Sequence, residues 1–355
     1  MPRTREHLIV VVNTGSTSTK LALYKNDALV SAATIVHTPA ELEKFGSIWD
    51  QFDFRAKIAT EWVRALKKTP SAVVGVGGLL KPVAGGTYLV NDSMVQDAKA
   101  NLQGEHASNL GCAIAQLVAQ KFSCHAFVVD PVSVDEFETL ARYSGHPLIK
   151  RHSLSHALNI HAVARTAAAR LRKNLSKTNF IVAHLGGGIS VATVVGGRIV
   201  DSNDASGEGP FTPERTGSLP LQQFMGVCFS GDFSSHEVRS VVMGKGGLVA
   251  YLGTNSGREV EEKIRKKDRE AETVYRAMAY QISKEIGAMS TVVNGKLNAI
   301  ILTGGLAHSR SLVRWIKKRI SFIAEVLVYP GGDEMKSMAM GALRVLRGQQ
   351  EALEY

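Results

Sequence analysis

The stretch LIVVVNTGSTSTKLALY, Leu8 to Tyr24, decides the fold. An apolar run meets a small polar, glycine-containing break, a second apolar run follows, and Lys25-Asn26-Asp27 turns the chain. Short apolar runs bounded by turn formers read as strands, so the stretch is a hairpin. Glycine, serine and threonine build its tight connection, which exposes backbone N–H groups and hydroxyls suited to an anionic phosphate. Half a chain later FIVAHLGGGISVATVV, Phe180 to Val195, repeats the order and turns at Gly196-Gly197. Two such hairpins, symmetrically placed, predict a duplicated domain with a phosphorylated ligand between the copies.

Working outward, residues 28–36 continue as a third strand, and SAVVGV (71–76) and HAFVVD (125–130) read as buried strands. Helical spacing covers 107–122, 135–143 and the alanine-rich 157–171, which reads as the bridge between halves. The second half restarts with strands through Asp201, then helices, the clearest over 270–289 and stopped by Asn294-Gly295. A strand at 299–303, a helix at 309–320, a strand at 326–329 and a helix at 334–346 complete it. Hairpins followed by alternating helix and strand, twice over, predict two α/β domains facing a cleft.

The 355 residues are too many for one ordinary core, and 45% hydrophobic with 21% charged residues is the composition of a soluble globular protein. No apolar run approaches the roughly 20 residues that span a bilayer. The lead MPRTREHLIVVVN is basic, but its apolar part is too short for a signal peptide. Cys112, Cys124 and Cys228 show no metal-ligand spacing and read as three buried thiols in a reducing cytosol. The net charge of +10 gathers mainly in 165–177, 263–269 and 310–319, without an aromatic stacking pattern. These runs read as solvated helix faces whose field attracts an anionic nucleotide, with no nucleic-acid partner.

Asn13, Ser16, Ser18 and Lys20 lie at the first turn, where amide, hydroxyls and ammonium suit a phosphoryl group and a magnesium hydration shell, or form a merely polar turn. His184, Gly186, Gly187 and Gly188 open the second turn, where glycines permit close backbone approach. Thr303, Gly304, Gly305 and Leu306 follow a buried strand and precede a helix, a position where nucleotides rest. Three glycine turns at strand ends favour a nucleotide over plain tight turns. Asp130 ends a strand and suits a metal or its waters. Asp201, also in a strand, reads as a similar carboxylate or, better, as a solvent-facing strand residue, and Glu334 reads as a first-turn cap. Arg215 sits in a Pro- and Gly-rich loop, where arginines serve anions or pair on the surface. His152 and His156 are four apart, a spacing that can bind zinc, and His161 is near, but no further ligand accompanies them, so a histidine donating to a phosphoryl group reads better. No P-loop, protein-kinase or complete dinucleotide fingerprint occurs.

NTGSTSTK, GGLLKPVAGGTY, GEHASNLG, VVDPVSVDE, HLGGGIS, GEGPFTPERTGSLP, LTGGLAH and YPGGDEMKSMAMGALRVLRG follow one another along nearly the whole chain. In these motifs the sequence resembles the acetate and butyrate kinase family, within the group that includes sugar kinases, actin and heat-shock chaperones. The resemblance implies an α/β fold of two duplicated ribonuclease-H-like, actin-like ATPase domains flanking a nucleotide cleft. One would span 1–157 plus 335–355 and take the acid, the other 158–334 and take the nucleotide. It implies reversible, Mg2+-dependent, in-line phosphorylation of a short-chain carboxylate such as butyrate by ATP. A cytoplasmic homo-oligomer, a dimer or a multiple of dimers, goes with it, and no membrane. By motif position Asn13, Ser16, Ser18 and Lys20 match the first phosphate loop, and His106 the histidine near the substrate. Asn13, Asp130 and Glu334 match the magnesium site, and His156 and Arg215 the side chains that steady the phosphoryl group. The turns at 184–188 and 303–306 match ATP contacts.

Family members usually carry arginine where Val76 stands, to hold the substrate carboxylate. Valine forgoes a charge-assisted contact worth on the order of 1.5–3 kcal/mol, and Lys81 is the nearest candidate to replace it. The segment 205–211 is one residue short, and Ser155 replaces a common aromatic. The alternative of another class is a nucleotide-binding protein of this fold with weakened or lost catalysis. A third, a kinase for hydroxyl substrates, requires a carboxylate base, for which Asp130 is the candidate.

Overall fold

A computed structural model describes residues 6–355, and the basic lead over residues 1–5 lies outside them. The chain divides into two compact units, Met1–Asp135 with Asp333–Tyr355, and Glu136–Gly332.

In the first unit the opening hairpin is β1 (Leu8–Thr14) and β2 (Ser18–Lys25), continued by β3 (Ala28–Val36). The strands β4 (Ala72–Gly75), β5 (Thr87–Leu89) and β6 (His125–Val129) complete a sheet ordered β3-β2-β1-β4-β6-β5. Pairing is antiparallel within the hairpin, and parallel from β1 to β4 and from β4 to β6. Side chains alternate across a strand, so Val10 and Val12 share one face. There they meet Ala56, Ala59 and Val63 of the helix Phe52–Ala65, and Ile114 and Val118 of the helix Leu110–Lys121. The helix Glu334–Leu346 returns from the end of the chain to pack on β1, β4 and β6.

The second unit repeats this plan. Its strands are β7 (Asn179–Leu185), β8 (Ile189–Val195), β9 (Arg198–Ser202), β10 (Ala299–Gly304) and β11 (Val326–Pro330), ordered β11-β10-β7-β8-β9. Antiparallel and parallel relations match those of the first sheet from β3 to β6, and β5 has no counterpart. β1 and β7 have the same sequence of buried and half-buried positions. Even the bulge recurs: at Leu23, opposite the third residue of β1, and at Thr193, opposite the third residue of β7. Parallel strands bring their carboxyl ends to one edge, the edge where open α/β sheets bind ligands. Asn13, Val76 and Asp130 lie at that edge of the first sheet, and His184, Gly304 and Gly331 at that of the second.

One expected helix does not form. Only a single 3-10 turn, Leu140–Arg142, occurs within 135–143. Tertiary pairing claims the backbone there instead: Asp135 N donates to Val83 O at 2.8 Å and Glu138 N to Val200 O at 3.0 Å. Of the three thiols, Cys112 is buried, whereas Cys124 and Cys228 are only half-buried, and none is paired. Among the described residues no helix is long and apolar enough to cross a membrane.

Candidate active site

The first turn closes tightly, Gly15 N donating to Ser18 O at 2.8 Å, and leaves Ser16, Thr17 and Lys20 exposed. Asn13, one residue from the end of β1, donates from Nδ2 to Glu334 Oε2 at 3.0 Å. That bond leaves Asn13 Oδ1 and the second Glu334 oxygen open, a pair of hard donors of the kind magnesium takes. Asp130 is 2% exposed, has φ of 39°, and accepts Gly86 N at 2.7 Å through Oδ1. Thr14 Oγ1 donates to Ala107 O at 2.8 Å, which ties the turn to the segment after His106. His106 Nδ1 accepts Ser108 N at 3.2 Å, so the neutral ring carries its proton on Nε2, and burial lowers its pKa. Val76 packs against Gly111, where a Cβ would come within 2.6 Å of Val76 Cγ1. Lys81 does not stand in for an arginine: its Nζ lies over the Tyr355 ring, 4.0 Å from the centroid.

In the second unit Leu185 and Ile189 pair, and Gly186 N donates to Gly188 O at 3.0 Å to close the glycine turn. Thr212 Oγ1 donates to Gly187 O at 2.6 Å. A Cβ on Gly188 would lie 2.5 Å from Arg215 Nη1, so the guanidinium rests directly on the turn. Arg215 also donates to Ala205 O. The rings of His156 and His184 stack with centroids 4.0 Å apart at 14°. Their outer nitrogens are fixed, His156 Nδ1 with Ser190 Oγ and His184 Nδ1 with Asn159 Oδ1, both at 2.8 Å. Gly304, at φ of 86°, pairs with Gly331 in both directions, and Thr303 Oγ1 donates to Gly331 O at 2.9 Å. A cavity of about 600 Å³ opens beside these turns, lined by Gly186, Gly187, Asn255, Tyr275, Gly305 and Leu306.

The zinc-spaced pair His152 and His156, and the nearby His161, go to three different partners. His152 stands 3.7 Å from Asp204, His156 meets Ser190, and His161 lies 3.4 Å from Glu136 in the core. Asp201 is not a free strand residue but an ion-pair partner of Arg151 at 3.1 Å. Sequence reading missed Arg55, fully buried beneath the first turn, together with Asn159, Ser190 and the cavity residues Asn255 and Tyr275.

Burial pushes the His184 pKa from 6.5 down to about 4, and burial with the neighbouring His184 and Arg215 charges holds His156 well below its ordinary value. Unfolded histidines keep the ordinary value, so between 6.5 and about 4 the unfolded chain binds more protons than the folded one. The stability that these neutral rings provide is full above pH 6.5 and is lost as pH falls toward 4. Thermal midpoints should decline over this window, and His184→Gln should flatten the decline. An unchanged slope in that variant would refute the assignment.

The sequence pattern of the Acetokinase family matches residues 140–323. A probable butyrate kinase of Listeria monocytogenes is 47% identical over 351 residues, 98% of this chain and 99% of that protein. Butyrate kinase 2 of Clostridium acetobutylicum is 46% identical over 351 residues, with the same two coverages of 98% and 99%. A crystal structure of a propionate kinase from Francisella tularensis aligns over 94% of this chain and 98% of that one with a TM-score of 0.75, and at 19% identity it shows a common fold alone. With such identity running through both units, the chain belongs to the acetokinase family.

Proposed function

We propose that the chain transfers the terminal phosphoryl group of ATP in line to a short-chain carboxylate, butyrate foremost, giving an acyl phosphate and ADP reversibly. The observation that carries this reading is the Arg215 guanidinium laid on the Gly186–Gly188 turn beside two stacked neutral histidines. A carboxylate is already ionised at neutral pH and attacks phosphorus without a general base, so catalysis is alignment and neutralisation of charge. With the His184 pKa at about 4 and that of His156 well below its ordinary value, both rings are poor proton acceptors at that pH, which suits an acid acceptor better than a hydroxyl.

Arg215 and His156 are assigned to the equatorial oxygens of the transferring group, and Asn13, Ser16, Ser18 and Lys20 to the same group from the first unit. His106, with its proton on Nε2, is assigned to donate to the acid. The cavity beside Gly186, Gly305 and Leu306 is assigned to the nucleotide. Asn13 Oδ1, Glu334 and Asp130 would hold Mg2+, which when bound offsets phosphate charge. Homo-oligomeric assembly and a cytoplasmic location belong to the same reading. The names of full-length relatives favour butyrate and an active enzyme over a protein that only binds nucleotide.

The test incubates the full chain with ATP, Mg2+ and a panel of short acids, and traps acyl phosphate with hydroxylamine. The expected outcome is acid-dependent hydroxamate matched by ADP release. ATP binding without hydroxamate from any acid would sink the enzyme reading.

A further inference from the structure

Arg55 is an arginine with a large unexplained cost. Its side chain is fully buried, yet among the described residues no carboxylate pairs with it, and burial alone draws its pKa down. An unpaired buried charge costs several kcal/mol unless its donors are satisfied. Here they are satisfied by one loop and by Gln51. Nη1 donates to Gly15 O at 2.8 Å, Ser18 O at 3.1 Å and Thr19 Oγ1 at 3.3 Å, while Nη2 reaches Ser16 O at 3.1 Å. Gln51, one helical turn earlier, fixes the fork by accepting Nε at 3.0 Å and Nη2 at 2.8 Å. The remaining carbonyl of the turn, Thr17 O, accepts His37 N at 2.8 Å.

The geometry has a direct consequence. A trans peptide points its N–H opposite to its C=O, and no cis bond occurs in the described chain. Drawing Gly15 O and Ser16 O inward therefore turns the N–H groups of Ser16 and Thr17 outward. Among the described residues neither donates to a backbone acceptor. Two successive outward N–H groups over a buried positive charge make an anion-binding concavity.

We propose that Arg55 is the positioning residue of the first turn: from beneath, its guanidinium holds Ser16 and Thr17 N–H outward, and its charge is balanced by the phosphoryl group bound above. This rests on the reading, made above, that the turn receives that group.

The experiment compares wild type, Arg55→Met, Arg55→Lys, Ser16→Ala and Lys20→Met, measuring affinity for butyryl phosphate and for ADP, and kcat. For Arg55→Met, butyryl phosphate affinity should fall about tenfold or more, as for a lost charge-assisted contact, and ADP affinity should stay within about twofold of wild type. Arg55→Lys should recover much of the affinity but little of kcat, because an ammonium keeps the charge and loses the fork. Folded Arg55→Met with unaltered butyryl phosphate affinity and kcat overturns the proposal, as does parallel weakening of both ligands. If Arg55→Met does not fold, Arg55→Lys decides: depressed kcat with intact ADP affinity supports the proposal, and unaltered kcat overturns it. Should Ser16→Ala and Lys20→Met leave butyryl phosphate affinity unaltered, the phosphoryl role of the turn itself fails, and this inference with it.

Discussion

Arg215→Ala should lower kcat by about a thousandfold, the effect of removing an arginine that neutralises a transferring phosphoryl group. The side chain lies against the Gly188 turn, and its positive charge helps keep His156 neutral. Truncation spares the loop's own frame. Thr212 N donates to Arg215 O and Arg215 N to Thr212 Oγ1, both at 3.0 Å, and neither bond needs the guanidinium. ADP affinity and the thermal midpoint should therefore change little while turnover collapses, the signature of an interaction made in the transition state. Arg215→Lys should restore only part, since a point charge cannot span two oxygens as a planar fork does. Turnover within tenfold of wild type in the alanine variant would exclude the assigned role.

Gly304→Ala should strongly destabilise the second unit. The residue sits at φ of 86° and ψ of 173°, a region reached essentially by glycine alone. Its added Cβ would lie 2.4 Å from Leu185 O and 2.7 Å from Leu185 N, backbone atoms that cannot rotate away. Backbone strain and overpacking each cost roughly 1–3 kcal/mol, so a loss of about 4 kcal/mol in unfolding free energy is expected. Leu185 borders the glycine turn, so ADP affinity should fall as well. Denaturant melts with and without ADP read both effects, and a shift below about 1 kcal/mol would show that the turn relaxes freely.

The hairpins were legible because both of their signals are local: uninterrupted apolar runs for the strands, and glycine, serine and asparagine for the turns. From them the α/β class and the duplicated order of strands follow. The segment 135–143 misled because helical spacing of apolar residues is a local preference, and distant carbonyls of Val83 and Val200 outbid it. The histidines at 152, 156 and 161 are near one another in sequence but do not share a direction, since a loop and a helix start lie among them. Arg55 was hidden for the opposite reason. In QFDFRAKIATEWVRALKK it looks like any basic residue on an amphipathic helix, and only the close approach of the β1–β2 turn makes it interior.

Glu334 and Asn13 touch, yet 321 residues of chain separate them. At ribosomal speeds of about 5–20 residues per second, Asn13 emerges roughly 15 to 60 seconds before its partner exists. Through that interval the nascent chain has the β1–β2 turn and Arg55 beneath it, but neither the carboxylate nor the helix that covers the sheet. The pair proposed to hold Mg2+ is therefore finished last during translation, and a chain truncated before residue 334 lacks it.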